Sequence, residues 1–374
     1  MKICQIHNEY LHKGGEDKVV EAERKLLKKK RHYVFQIIRK NSKEIKTIKD
    51  KIETLINLSY SKKSFKILDN YFLRNELPDI VHIHNIFPLW SYSIFEYFKI
   101  KKIPIVMTLH NFRFLWENVK LQKNDKYFKY GLFKNSQLKT FFIAKIIKKN
   151  KQLMSYVSIF IVLNKFAKKE FHSIGIPSKK IIIKPNFIEN NRNIIYKKKN
   201  YERYSFICTS RISQEKGFLT LFDAWKNLDY NLKLFGDGPL KNKTTNNNIK
   251  FYGNKKFNVI SYHMQKANAL ILPSEQNEGG LPLSIIEAFQ NKTLVIASNH
   301  GSMKSEIIDG FNGILFDSGN SDSLREKVNW VIKNNTICKK IVNNAYKEFQ
   351  IRYSQKKNYK TLISIYKKVI NNYK

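Results

Sequence analysis

Short apolar runs rich in β-branched residues alternate with helical patterns along most of the chain, and this rhythm constrains the fold more than any other feature. Residues 2–7 (KICQIH) read as a strand, followed by a glycine turn and a helix over 17–30. DIVHIH (79–84) and IVMTL (105–109) read as buried strands separated by a helical stretch at 92–98, with further strands at 158–163 and 181–184. Apolar strands joined by helices imply parallel sheets covered on both faces. Ligands of such sheets lie beyond the carboxyl ends of the strands.

The rhythm pauses after Pro185-Asn186-Phe187, where residues 189–203 are rich in Asn and Lys and carry no apolar period. It restarts with SFICT (205–209), a helix at 218–228, a strand at 232–235 and the turn Gly236-Asp237-Gly238-Pro239. Strands at 249–252, 269–272 and 294–297 and a helix at 282–289 follow. A length of 374 residues exceeds what one core usually organises. The expected division is a first α/β domain at 1–188, a linker at 189–203 and a second α/β domain at 204–352. In the remaining 353–374, Leu362, Tyr366, Val369 and Tyr373 fall on one helical face. That helix is expected to pack across the domain junction, with a membrane-surface helix as the alternative.

Composition bounds the partners. Lys and Arg number 69 against 30 Asp and Glu, a formal net charge of +39. A hydrophobic share of 42 % excludes a disordered polyelectrolyte. Lysines are spread along the whole chain, and no helix-turn-helix, RNP or zinc pattern accompanies them. Weak polyanion binding is therefore expected as a side effect, and no specific nucleic acid as a partner. Cys4, Cys208 and Cys338 are odd in number and scattered, which fits a reducing compartment without disulfides. The start is too short and too polar for a secretory leader, and no apolar run approaches the ~18 residues of a spanning helix. A cytoplasmic protein, soluble or peripheral on a membrane, is expected.

Candidate site residues gather at strand ends. Gly14-Gly15-Glu16 lies between the first strand and the first helix, where glycines let the backbone approach a ligand and helix amides favour an anion. An ordinary strand-to-helix turn has the same composition. His110 closes IVMTL and points towards the crevice, whereas His82 and His84 suit either a cleft lining or satisfied core positions. Arg211 and Lys216, in the loop 210–217, are placed to grip one anion at a helix N-terminus. Glu278, Gly279, Gly280 and Leu281 form a loop that opens the helix carrying Glu287, a carboxylate suited to a ribose diol. Helix capping and a plain surface glutamate are the alternatives there.

As an ordered set these residues resemble the retaining glycosyltransferases of the GT-B fold, family four, from residue 3 to about residue 332. Such a fold is two doubly wound Rossmann-like domains facing across a cleft. Gln5-Ile6-His7-Asn8, Gly14-Gly15-Glu16-Asp17, Val81-His82-Ile83-His84-Asn85 and Thr108-Leu109-His110-Asn111 are similar to the subgroup that builds bacterial surface polysaccharides. The resemblance implies a donor UDP- or GDP-sugar near Gly14 and Gly15, with His110 and Glu278 on the sugar. It implies Arg211 and Lys216 on the diphosphate and Glu287 on the ribose. Glu278 and Glu287 are nine positions apart, one more than the family's usual eight, and Gly279-Gly280 is expected to absorb the extra residue. Cysteines that many relatives carry after the His-Asn pair are absent from 112–131.

Transfer from such a donor builds negative charge on the diphosphate, which Arg211 and Lys216 would stabilise. No DxD pair sits in a suitable loop, so metal-independent transfer without a cofactor is expected. Retention, by a same-face attack assisted by the departing phosphate, comes from the resemblance alone. So does a saccharide acceptor, lipid-linked in many relatives. An apolar stripe of Leu138, Phe141, Phe142, Ile146 and Ile147 among lysines suits an anionic membrane surface or packing on the first sheet. A nucleotide-sugar epimerase or an α-glucan synthase would share the fold.

Overall fold

The computed structural model describes residues 1–11, 14–112, 145–146, 148, 150–189 and 204–373. It divides into one compact unit of Met1–Pro185 with Asn358–Lys374, and a second of Asn186–Lys357. The expected linker and the apolar stripe at 138–147 fall almost wholly outside the described residues.

The first unit is built on six parallel strands, β1 (Lys2–Glu9), β2 (Tyr33–Lys40), β3 (Ile80–Ile83), β4 (Ile105–Leu109), β5 (Ile159–Val162) and β6 (Ile181–Ile183). Their order is β2-β1-β3-β4-β5-β6, so the winding direction reverses between β1 and β3. Successive side chains alternate faces in a strand. Cys4, Ile6, Val81, Ile83, Ile105, Met107, Phe160 and Val162 therefore share one core. Ile3, Ile80, Val106, Ile159 and Ile161 line the opposite face, with Leu27 of the helix Gly15–Lys29.

That opposite face is also covered by the C-terminal helix Gln355–Asn371, through Leu362, Ile365, Tyr366 and Val369. The apolar face expected at a domain junction is thus used against the first sheet. Burial of these side chains also leaves no apolar stripe there for a membrane. The reason is geometric: the crossover helices leave part of this sheet face bare, and a helix with a matching i, i+4, i+7 stripe fills it.

The second unit repeats the architecture with β7 (Ser205–Thr209), β8 (Asn231–Phe235), β9 (Ile249–Gly253), β10 (Ala269–Leu272), β11 (Leu294–Ser298) and β12 (Ile314–Phe316). The order β12-β11-β10-β7-β8-β9 is parallel throughout and reverses between β7 and β10. Alternation again separates two cores, Phe206, Cys208, Leu232 and Ile271 on one face, Ile207, Leu270, Val295 and Ala297 on the other. All three cysteines are buried and free, so none is in a disulfide. No described helix is long and apolar enough to cross a membrane.

Leu362 is fully buried between the C-terminal helix and the first sheet. Leu362→Ala should cost about 2–5 kcal/mol, read as a lower urea midpoint for the transition of the first unit.

Candidate functional site

In each unit polar residues collect at the carboxyl ends of the strands, at and beside the reversal point. On the first sheet, the face that begins with Ile3, Ile80 and Val106 ends with His7, His82, His84, Thr108, His110 and Lys184. Period-two alternation puts all of them on one side. Lys184 is 2 % exposed and Glu23, on the helix Gly15–Lys29, is 1 % exposed. Lys184 Nζ donates to Glu23 Oε1 at 2.5 Å. Breaking such a buried pair by removing one partner costs about 3–5 kcal/mol.

The histidines assemble around this pair. His82 Nδ1 meets the Tyr366 hydroxyl at 2.6 Å and its Nε2 meets Thr108 Oγ1 at 2.7 Å. His84 Nδ1 lies 3.0 Å from His110 Nε2, with the rings stacked. Glu23 Oε2 is 3.6 Å from both His82 Nδ1 and His84 Nε2. Burial pushes the His82 imidazole down to about 4, with Glu23 opposing and Lys184 reinforcing the shift. Burial likewise holds His84 and His110 well below the usual histidine range, aided by the neighbouring histidines and Lys184. All three rings are thus neutral at pH 7. His82 is a satisfied core histidine, whereas His84 is a core histidine that touches a part-exposed one, His110.

The glycine loop is organised by Asp17. Its Oδ2 accepts the Gly14 N–H at 2.7 Å, and its Oδ1 lies 2.7 Å from His7 Nε2. Burial raises the Asp17 carboxyl, but His7 and the Gly14 amide outweigh it and hold it below its usual 3.8. Gly14 itself is extended, with φ −109°, and a Cβ there would meet only Asp17 Oδ2, at 3.9 Å. Folding alone does not require glycine at this position.

In the second unit the loops after β7 and β10 are pressed together. Glu275 N donates to Glu215 O at 3.1 Å. Gly217 has φ +72°, and a Cβ there would stand 1.8 Å from the Pro273 carbonyl oxygen. Gly236, at φ +138°, makes the same kind of approach to Ser210 O. Such backbone contacts exclude any side chain. They bring Lys216 onto Glu278, to which it donates, while Ser274 Oγ donates to the same carboxylate oxygen at 3.0 Å. Arg211 is exposed on the loop that carries Lys216. Gly279 and Leu281 are buried, Gly280 is half-buried, and Ser302 Oγ donates to the Gly280 carbonyl at 3.0 Å. Glu287 is half-buried on the helix Leu283–Gln290 that the loop opens.

The structure therefore groups Lys216 with Glu278 in the second unit and His110 with His84 in the first. The sequence alone singles out neither Glu23 nor Lys184, and it marks Tyr366 only as part of an apolar helix face. For Lys184 a signal exists, because it continues the alternation of the strand III (181–183) onto the histidine face. A cavity of about 480 Å³, lined by Tyr204, Asn268, Leu294 and Cys338 among others, lies at the amino ends of the second sheet's strands, away from these groups.

Two parallel, doubly wound, Rossmann-like units with polar residues at their reversal points define the GT-B class of α/β proteins. Residues 18–192 match the model of glycosyltransferase family 4, and residues 189–348 that of the glycosyl transferases group 1. The chain belongs to the group 1 glycosyltransferases. An uncharacterised glycosyltransferase of Methanocaldococcus jannaschii is 26 % identical over 371 residues, covering 96 % of this chain and 95 % of that one. The fold is similar to that of the Anabaena protein HepE solved with UDP, with a TM-score of 0.69 and 16 % identity over 98 % of this chain and 99 % of that one. It is also similar to sucrose-phosphate synthase of Thermosynechococcus elongatus, with a TM-score of 0.74 and 14 % identity over 99 % of both chains.

The neutral histidines make the first unit sensitive to acid. Their folded values lie below the ~6.5 of an unfolded chain, so the unfolded state takes up more protons as pH falls. The stability they confer is complete above about pH 6.5 and is lost towards pH 4. For His82, near 4 in the fold, about 2 kcal/mol should be gone by pH 5. Asp17, shifted down from 3.8, adds acid sensitivity only below that window. Urea unfolding at pH 7.5 and pH 5 should show the loss, and His82→Gln should flatten the pH dependence.

Proposed function

We propose that this glycosyltransferase moves a sugar from a nucleotide diphospho-sugar to a saccharide acceptor, with retention and without a metal, in surface-polysaccharide synthesis. The observation that carries the reading is the pairing of Lys216 with Glu278 at the reversal point of the second sheet. A ligand entering there must satisfy both partners. It has to bring an oxyanion to the ammonium and a hydrogen-bond donor to the carboxylate, and a sugar diphosphate carries both. Arg211, exposed on the same loop, adds a planar fork for phosphate oxygens.

Charge accumulates on the leaving diphosphate as the anomeric carbon becomes cationic. Lys216 and Arg211 would stabilise it electrostatically, and removing a donor of this kind costs about 10²–10³ in rate. Glu278 would hold sugar hydroxyls, since its carboxylate is already bonded by Lys216 and Ser274 and makes a poor nucleophile. That state favours same-face attack assisted by the departing phosphate. Glu287 would take the ribose diol, Gly279, Gly280 and Leu281 would line the donor loop, and His110 would position the sugar. Gly14, where a Cβ would clash with nothing of the protein, supports close approach of a ligand to the loop Gly14-Gly15. The UDP bound by HepE favours a uridine over a guanosine donor.

A lipid-linked acceptor and a peripheral place on the cytoplasmic membrane face are supported by the helix Ile48–Ile56, which buries no residue. Ile48, Ile52 and Ile56 are 76, 55 and 73 % exposed on one of its faces. Lys46, Lys49 and Lys51 flank them. An exposed apolar stripe with a basic margin fits an anionic bilayer. Ile52→Ser/Ile56→Ser should release the protein from sedimenting anionic vesicles; equal binding by the variant would remove this support.

Thermal shift with UDP, GDP, ADP and their sugars tests the donor site. A ligand at about 100 times its Kd adds roughly 2.7 kcal/mol. One nucleotide family should stabilise the wild type, in chelator as well, and Arg211→Ala/Lys216→Ala should abolish the shift. A uniform response to every polyanion, kept by the double variant, would overturn the reading. Gly14→Ala should change stability by no more than about 1 kcal/mol while weakening donor binding.

A further inference from the structure

The His84–His110 contact contains a choice that the geometry around it resolves. A neutral imidazole carries one N–H and one lone pair. His84 Nδ1 and His110 Nε2 are 3.0 Å apart, so one of them donates to the other. Which one does so depends on the far nitrogen of His84. That atom, Nε2, is buried, has no hydrogen-bond partner, and stands 3.6 Å from Glu23 Oε2, which is equally buried and unpartnered. Lys184 pairs with the other carboxylate oxygen, which leaves Oε2 as the one that faces His84. At low dielectric a lone pair facing a carboxylate is repelled, whereas an N–H is attracted.

We propose that Glu23 is a positioning residue: by drawing the His84 proton to Nε2, it makes His84 Nδ1 an acceptor and His110 Nε2 the donor. His110 then presents Nδ1 as a lone pair. The chain of effect is Lys184 to Glu23 to His84 to His110, from the sheet interior to a part-exposed ring. His82 Nδ1 stands at the same 3.6 Å from Glu23 Oε2, but its two nitrogens bond the hydroxyls of Tyr366 and Thr108, which rotate to suit either tautomer, so a bias there is not passed on to another ring. A lone pair at Nδ1 accepts a hydrogen bond from a hydroxyl, as the reading of His110 as a donor-sugar contact requires. The proposal rests on that reading for its use, but the tautomer stands on the geometry alone. Glu23, His82 and His84 also hold three polar atoms within 4.8 Å of one another, a spacing open to a divalent cation. Lys184 on the carboxylate and Tyr366 on His82 already fill that role.

The test is a long-range proton–nitrogen correlation spectrum of the full chain with ¹⁵N-labelled histidine at pH 7.5, with the His110 signals identified by their loss in His110→Gln. His110 should show an unprotonated Nδ1 and a protonated Nε2. In Glu23→Gln the amide can still accept from Lys184 and its NH₂ now donates to His84 Nε2, so the relay reverses. The two His110 signals should then exchange character, and donor binding should weaken about tenfold, the worth of one hydrogen bond. A protonated Nδ1 in the wild type, or an unchanged pattern in folded Glu23→Gln, would overturn the proposal. So would one zinc per purified chain with His84 Nε2 carrying a metal-bound shift. If Glu23→Gln does not fold, the wild-type spectrum decides by itself. Full transferase activity in His110→Gln would remove the sugar-contact reading and leave the tautomer measurement standing.

Discussion

Lys184 lies in the interior of the first unit, and an ammonium there is tolerated only with a partner held in place for it. Glu23 is that partner, and its position constrains what surrounds it. The helix Gly15–Lys29 must pack with this carboxylate over the ends of β3 and β6, which fixes how the helix leaves β1. The glycine turn that starts the helix is then tied by Asp17 to His7 on β1. Tyr366 reaches the same cluster from the C-terminal helix, so a segment at the end of the chain closes a polar core begun by residue 7. One charge pair thereby couples the loop, the histidines and the last helix.

The second unit reaches local rigidity by the opposite route. Instead of a buried polar network it uses backbone contact, with Gly217 against Pro273 and Gly236 against Ser210. These approaches leave no room for a Cβ, and so the loops after β7, β8 and β10 form one rigid rim. Ser274 and Lys216 then meet on Glu278 without burial of the charges, both members of the ion pair remaining about one-fifth exposed. A pair of that kind can exchange partners, which the sealed Lys184–Glu23 pair cannot do at comparable cost.

Much of this was legible in the sequence, for reasons that differ by residue. Ten of the twelve described strands were visible because parallel, doubly covered strands are short apolar runs, and their ends matched to within a few residues; β2, which carries polar residues at its end, and the three-residue β12 were not. Arg211, Lys216, Glu278 and Glu287 could be singled out because strand-to-helix loops at a reversal point are local in sequence. The histidine face was half visible, since DIVHIH alternates apolar and polar positions. Its closure was not, because Glu23, Lys184 and Tyr366 lie far from residues 82–84 and only the folded topology brings them together. The C-terminal helix shows the same limit. Its apolar period announces a buried face without stating which surface buries it, and the bare part of the first sheet decides the matter.

The net charge of +39 gains a different meaning in this light. Surface lysines attract any polyanion through counterion release, and that attraction carries no selectivity. Lys216 differs from the other surface lysines that meet a carboxylate, among the described residues, in being only about one-fifth exposed where Glu278 bonds it. A bare polyanion binding there would gain the ammonium but leave a carboxylate facing phosphate, two like charges in a partly desolvated loop. A ligand with hydroxyls beside its phosphates replaces both halves of the pair and leaves nothing unsatisfied. If this loop takes the donor as proposed, selectivity against the chain's own electrostatic background would come from Glu278. Removing Glu278 would turn that loop into one more basic patch.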